Sequence, residues 1–247
     1  MTTSSSSTTG NARRSSSKPR PDADALGRLL VVSPHCDDAV FASGDLIAAH
    51  PGTVVVTVFA AAPADDRLRP WDAECGFVAG QHVMDVRRAE DAEALAVLGA
   101  RPRWLAFRDD QYGHNADAPV IAEALLRELD ATKAETVGLP LGLFHRDHEL
   151  AHEAALLARA ARPDLSWIAY EDAIYRRFPG EPAAARVAGL RARGLGVDVF
   201  HRGGPASLRK RRAVACYRSQ LRGLAASGRA GHADAFEAEC CWLLRDL

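Results

Sequence analysis

The chain has 247 residues, 47% of them apolar, and a formal charge of −1; that is enough apolar material to bury a substantial core in one large domain. The first twenty residues carry Arg13, Arg14, Lys18 and Arg20 and no acid, which leaves −5 for residues 21–247. A mildly acidic body argues against nucleic acid as a partner, and no apolar run approaches the roughly 20 residues of a membrane span.

The start of the chain lacks the apolar core of a secretory signal, so a cytoplasmic protein is expected. Residues 1–20 are Ser/Thr-rich with almost nothing apolar and predict a disordered tail, taken here as 1–27 ahead of a single domain over 28–247. A transit peptide shares that Ser- and Arg-rich composition, but the amphipathic stripe is absent. Five cysteines, Cys36, Cys75, Cys216, Cys240 and Cys241, contain no C-x-x-C pair. They point to reduced thiols rather than a disulfide framework or a cysteine-only zinc knuckle.

In chain order, Leu29–Ser33 (LLVVS) is a short continuous apolar run, as a strand buried on both faces would be. Asp37 to His50 has room for a helix, and Thr53–Phe59 (TVVVTVF) reads as a second strand. The irregular stretch 60–85, with Pro63, Pro70 and Gly80, is a candidate lid, in which Trp71 would either cover a sugar ring or pack. Val86–Leu98 has helical spacing and stops at Gly99, a C-terminal signal. Then follow a strand over Arg103–Phe107, a helix over Pro119–Asp130, a strand over Thr136–Leu139 and a helix over His148–Ala161. Strands near Ser166–Tyr170 and Gly196–His201 and helices over Ala206–Arg222 and Ala233–Leu244 complete the chain. The alternation predicts an α/β, Rossmann-like, mostly parallel sheet with helices on both faces. In such sheets ligands bind beyond the carboxyl ends of strands, at a topological switch point.

Two polar clusters follow core strands. Ser33-Pro34-His35-Cys36-Asp37-Asp38 comes directly after the first strand, and the three-residue spacing of His35 and Asp38 can aim both at one ion while Asp37 faces elsewhere. Zinc accepts imidazole nitrogen and carboxylate oxygen, and catalytic zinc takes three protein ligands and a water. His145-Arg146-Asp147-His148 follows the fourth strand and supplies the third ligand from one imidazole. The other imidazole would stabilise charge, with Asp147 orienting its ring.

The two clusters resemble the signature of the PIG-L/LmbE-like de-N-acetylases, P/A-H-P-D-D-E and H-x-D-H, in Pro34-His35-Cys36-Asp37-Asp38-Ala39 and His145-Arg146-Asp147-His148. Arg87-Arg88-Ala89-Glu90, running on to Leu98-Gly99, is similar to the family's R-x-x-E…LG segment, and Tyr217-Arg218-Ser219-Gln220 to its Y-x-S-Q. The resemblance implies metal ligation by His35, Asp38 and His148, general-base duty for Asp37, and oxyanion or acid duty for a protonated His145 supported by Asp147. It implies contact with sugar hydroxyls by Arg87 and Asp109, and a substrate that is a small N-acetylated amino-sugar conjugate. The metal implied is Zn2+, with Fe2+ or another divalent ion as an alternative for the same donors. The family's proline is replaced by Cys36, read here as a packed thiol rather than a fourth ligand, and its trailing glutamate by Ala39.

Two other readings compete. His148-Glu149-Leu150-Ala151-His152 fits H-E-x-x-H, the helix motif of zinc peptidases, with Glu171 as a third ligand. An acidic pair after the first strand also suits a non-catalytic module that binds magnesium. The first leaves Asp37 and Asp38 unexplained, and the second gives His145 and His148 no work. Of the other histidines, only His114 sits in a loop that could border the pocket.

Overall fold

The computed structural model describes residues 26–176, 178–180, 182–229 and 231–247; the expected tail, up to residue 25, lies outside the described residues. β1 (Leu29–Ser33) is buried throughout, and its side chains alternate between two cores, Leu29 and Val31 in one and Leu30 and Val32 in the other. That is why the segment reads as a continuous apolar run rather than an alternating one.

The chain then forms α1 (Asp38–Ala49), β2 (Val54–Thr57), α2 (Pro70–Glu74), α3 (Val83–Leu98) and β3 (Arg101–Trp104). It continues through α4 (Ala118–Thr132), β4 (Thr136–Pro140), α5 (Arg146–Ala161) and β5 (Ser166–Tyr170). The last part comprises α6 (Pro182–Ala192), β6 (Leu195–Arg202), α7 (Leu208–Val214), α8 (Arg218–Leu224) and β7 (Cys240–Asp246). The sheet runs β3-β2-β1-β4-β5-β7-β6. β3 through β5 pair in parallel, and β7 runs antiparallel to both of its neighbours. One face is covered by α1, α3 and α7 around Val40, Phe41, Leu95 and Val214. The other is covered by α4, α5 and α6 around Ile121, Leu125, Ala155 and Leu190.

Strand order reverses between β1 and β4, since the chain moves outward to β2 and β3 on one side and to β5 on the other. This is the switch point at which α/β sheets open a crevice, and the two polar clusters lie on either side of it.

The C-terminal third departs from expectation. Ala233–Leu244, expected as a helix, is a short 3-10 turn over Ala233–Phe236 followed by β7. The run Cys240-Cys241-Trp242-Leu243-Leu244 is buried on both faces between β5 and β6. A short apolar run of this kind has no periodicity that separates helix from strand; its neighbours in the sheet decide. The helix expected over Ala206–Arg222 breaks between α7 and α8, where Tyr217 turns inward to donate its hydroxyl to Asp91 at 2.9 Å. α6, opened by Pro182 in its first turn, was not among the expected elements. β3 lies two residues before the expected strand and is exposed along most of its length, an edge position that tolerates Pro102.

Candidate metal and catalytic site

The loop after β1 is closed by Ser33, whose hydroxyl donates to the His35 carbonyl at 2.5 Å and accepts from the Ala39 amide at 3.0 Å. Asp38 opens α1, where a carboxylate is favoured by the helix dipole, and its Oδ2 accepts from the His35 amide at 2.8 Å. The same Oδ2 lies 3.0 Å from His35 Nδ1 and 3.2 Å from His148 Nε2. His148 Nε2 is buried and makes no hydrogen bond, while its Nδ1 is held by the buried carboxylate of Asp172. An imidazole fixed by a carboxylate on one nitrogen and free on the other is the arrangement of a metal-ligating histidine. The ligand atoms of His35, Asp38 and His148 all lie within 4.8 Å of one another, so the donor set fits a divalent cation.

Asp172 follows β5 and was not singled out from the sequence. Besides His148 it accepts the amides of Gly142 and Leu143, at 2.9 and 3.3 Å, and so pins the loop after β4 to His148 on α5. Its signal was present: it is a carboxylate just past a core strand, as Asp37 and Asp38 are.

Asp147 does something other than expected. Its Oδ2 receives His35 Nε2 at 2.8 Å and the Asp110 amide at 3.2 Å, its Oδ1 receives His114 Nε2, and His145 Nδ1 is 3.7 Å away. Asp147 therefore orients His35 and His114 rather than His145. His145 caps α5, its Nδ1 accepting the Asp147 amide at 3.2 Å, which leaves the proton on Nε2. Burial, with His35 beside it, lowers His145 to about 4. Asp147 acts in the opposite direction on His145 but does not overcome burial and the neighbouring His35.

Burial alone would lower His148, but Asp38 and Asp172 overcome it and raise the imidazole to about 9. His35 is raised likewise, with burial opposed by Asp147 and Asp38. Burial, then the charge of Asp38, lifts Asp37 to about 7. Asp37 occupies the position ahead of α1 but caps no helix amide, so its carboxylate is left to the cavity.

His35, Asp37, Asp38, His145 and Asp147 line a cavity of about 330 Å³. Trp71, Met84, Ile174, Phe178 and Leu224 supply apolar lining. Arg87 and Asp109 also line it. The Arg87 guanidinium is engaged through Nη2 by Asp72 at 2.9 Å and through Nη1 by the Tyr112 hydroxyl at 3.3 Å, while its buried Nε has no partner. Asp109 accepts the Tyr112 amide and a Gln111 side-chain N–H, both at 3.2 Å. Trp71 donates to Gln220 at 3.2 Å, which ties the 60–85 stretch to α8. Cys36 is buried in the core, as a packed thiol.

The helix motif of the peptidase reading does not assemble. His152 turns its Nδ1 to the Pro140 carbonyl at 2.8 Å and packs on Gly142, whose Cβ, if present, would lie 2.6 Å from that of His152. Glu149 faces Arg186 at 3.4 Å and Glu171 faces Arg176 at 3.8 Å. Among the described residues, no group of metal-ligand atoms includes His152.

The chain is similar in structure to the A40926 pseudoaglycone deacetylase Dbv21, with 24% identity over 90% of this chain and 98% of that one and a TM-score of 0.73. It is similar to the zinc-inhibited form of teicoplanin deacetylase Orf2, with 22% identity over 90% and 99% of the two chains and a TM-score of 0.72. It also resembles GalB, the 4-carboxy-2-hydroxymuconate hydratase of Pseudomonas putida KT2440, with 19% identity over 88% and 96% and a TM-score of 0.55. These likenesses show the fold, and a fold shared by deacetylases and a hydratase does not decide a reaction. No curated protein matches the chain in sequence. The family described as GlcNAc-PI de-N-acetylase matches residues 30–159, a span that contains both polar clusters and more than half of the sequence. The chain belongs to this family, PIG-L.

Proposed function

We propose that the protein is a zinc-dependent hydrolase that removes an N-acetyl, or related N-acyl, group from a small amino-sugar conjugate and releases acetate and a free amine. The observation that supports this reading most directly is the convergence of His35, Asp38 and His148 within 4.8 Å, with His35 and Asp38 lining the same cavity as the Asp37 carboxylate and the His145 imidazole. Zinc is the metal proposed, and iron(II) suits the same donors. A divalent ion bound by His35, Asp38 and His148 would polarise the amide carbonyl and lower the pKa of water toward about 7.

In this reading Asp37 takes the proton of the attacking water and delivers it to the amide nitrogen as the C–N bond breaks. His145 presents its Nε2–H to the carbonyl oxygen as negative charge develops there. Arg87 and Asp109 face the sugar. Because Arg87 also anchors Asp72 and Tyr112, Arg87→Ala raises KM by loosening the cavity wall as well as by losing a contact.

Elemental analysis of wild type, His35→Ala and His152→Ala, paired with acetate release from N-acetylglucosamine conjugates, tests the reading. His35→Ala loses metal and activity, and His152→Ala keeps its metal. The reverse pattern would assign the metal to the helix motif and sink the proposal.

A further inference from the structure

Phe144 is 66% exposed, the most exposed phenylalanine or tryptophan among the described residues. It sits directly before His145, at φ +62°, in a tight turn closed by the His145 amide on the Leu143 carbonyl at 2.7 Å. A left-handed backbone is uncommon and strained for a bulky residue. A side chain that remains two-thirds exposed gains little burial to offset that strain, so folding alone does not account for a phenylalanine there.

Its ring is not isolated. Phe144 stacks on Phe178 with centroids 4.2 Å apart and planes at 20°, and on Tyr175 at 5.7 Å and 30°. Tyr175 in turn lies edge-on to His148 at 4.9 Å and parallel to His145 at 6.4 Å. One ring thus separates the aromatic stack from the metal-ligating histidine. Phe144, Tyr175 and Phe178 line the same cavity as Asp37 and His145, so a group lying against the stack shares the cavity with the residues that face the amide in the proposed reading. Ile174 and Leu224 extend this wall without a hydrogen-bonding side chain.

We infer that Phe144, Tyr175 and Phe178 form a subsite for an aromatic group carried on the anomeric carbon of the amino sugar, next to the carbon that bears its acetamide. The inference rests on the proposed deacetylase reading for the orientation of that group. Aromatic rings favour offset-stacked partners at centroid separations of about 4.5–7 Å, and the outer face of Phe144 offers such a surface.

The test is the dissociation constant of phenyl β-glucosaminide against methyl β-glucosaminide. Neither carries an acetamide, so binding is read without turnover. Wild type should bind the phenyl compound several-fold, up to about tenfold, more tightly. Phe144→Gly, which fits the left-handed turn and should melt no lower than wild type, should bring the ratio to near unity. Phe178→Ala, which leaves the turn untouched, should do the same. Equal affinities in wild type, or a phenyl preference that survives both substitutions, overturns the subsite. Acetate release from N-acetylglucosaminides separates the two ideas. No release from any of them with the phenyl preference intact removes the deacetylase reading alone, and release with no phenyl preference removes the subsite alone.

Discussion

At the scale of single residues, the two imidazoles that face Asp38 are each backed by another carboxylate. Asp147 receives Nε2 of His35, and Asp172 receives Nδ1 of His148. In both cases the other ring nitrogen faces Asp38, and the proposed function gives that nitrogen to the metal. Partners of this kind fix the tautomer and the direction of the ring, and their loss costs about 10–100-fold in metal affinity. Asp172→Asn keeps an oxygen for the Gly142 and Leu143 amides but turns an amide N–H2 toward His148. We expect zinc affinity, measured by chelator competition, to fall by about 10–100-fold with little change in apo-protein melting. Unchanged affinity would reduce Asp172 to a loop anchor. That Asp37, Asp38 and His35 share one loop was legible from their order in the chain. Which carboxylate serves which histidine was not, because that depends on where two distant loops meet.

At the scale of elements, α3 holds the molecule together through consecutive acids. Glu90 accepts the amide and hydroxyl of Ser219, at 2.9 and 2.6 Å, and so opens α8. Asp91 accepts Trp104 Nε1 from β3 at 2.7 Å and the Tyr217 hydroxyl at 2.9 Å. The two segments that resemble R-x-x-E and Y-x-S-Q are thus the two sides of one contact. Burial pushes Asp91 up to about 7, although Trp104 and Tyr217 donate to it. A carboxyl with a folded pKa above its unfolded value stabilises the fold below the unfolded value, and that contribution is lost as pH rises toward about 7. Asp91→Asn cannot ionise. Its unfolding free energy relative to wild type, measured in urea, should therefore shift in favour of the variant by about 2–3 kcal/mol between pH 5 and pH 8. A difference independent of pH would show that Asp91 ionises without cost.

α1 is held in a similar way. It departs from helical geometry at Ser43, and the Asp45 and Leu46 amides beyond the break donate to Glu239 at 2.7 and 3.0 Å. Glu239 is also paired with the fully buried Lys210 at 2.7 Å. Gly44 leaves room for that lysine: a Cβ there would lie 2.8 Å from Lys210 Cγ. None of this is periodic, and neither the break in α1 nor its partner could be read locally.

At the scale of the whole molecule, the site exists because β1 and β4 are neighbours in the sheet, which brings His35 to Asp147 across 112 positions of sequence. A metal bound across the two loops should stabilise the folded chain by mass action, about 2.7 kcal/mol at a hundredfold excess over Kd. For a chain of this size that corresponds to roughly 5–10 °C in Tm. Calorimetry with zinc and with EDTA should show this difference in wild type and none in His35→Ala. A shift of the same size in His35→Ala would place the stabilising ion elsewhere. Among the described residues no helix is long and apolar enough to cross a membrane, in keeping with the hydropathy of the sequence.

By itself the sequence determined the parallel half of the sheet and the two polar clusters at its switch point, because doubly buried strands and closely spaced ligand residues leave local marks in residue type and order. Only the tertiary structure decided that Cys240–Asp246 is a strand, that His145 caps α5, that Asp172 stands behind His148, and that Phe144 stacks with Tyr175 and Phe178. Each of those depends on what a segment meets across the fold, and short apolar runs, acids and single aromatic residues look alike until their partners are in place.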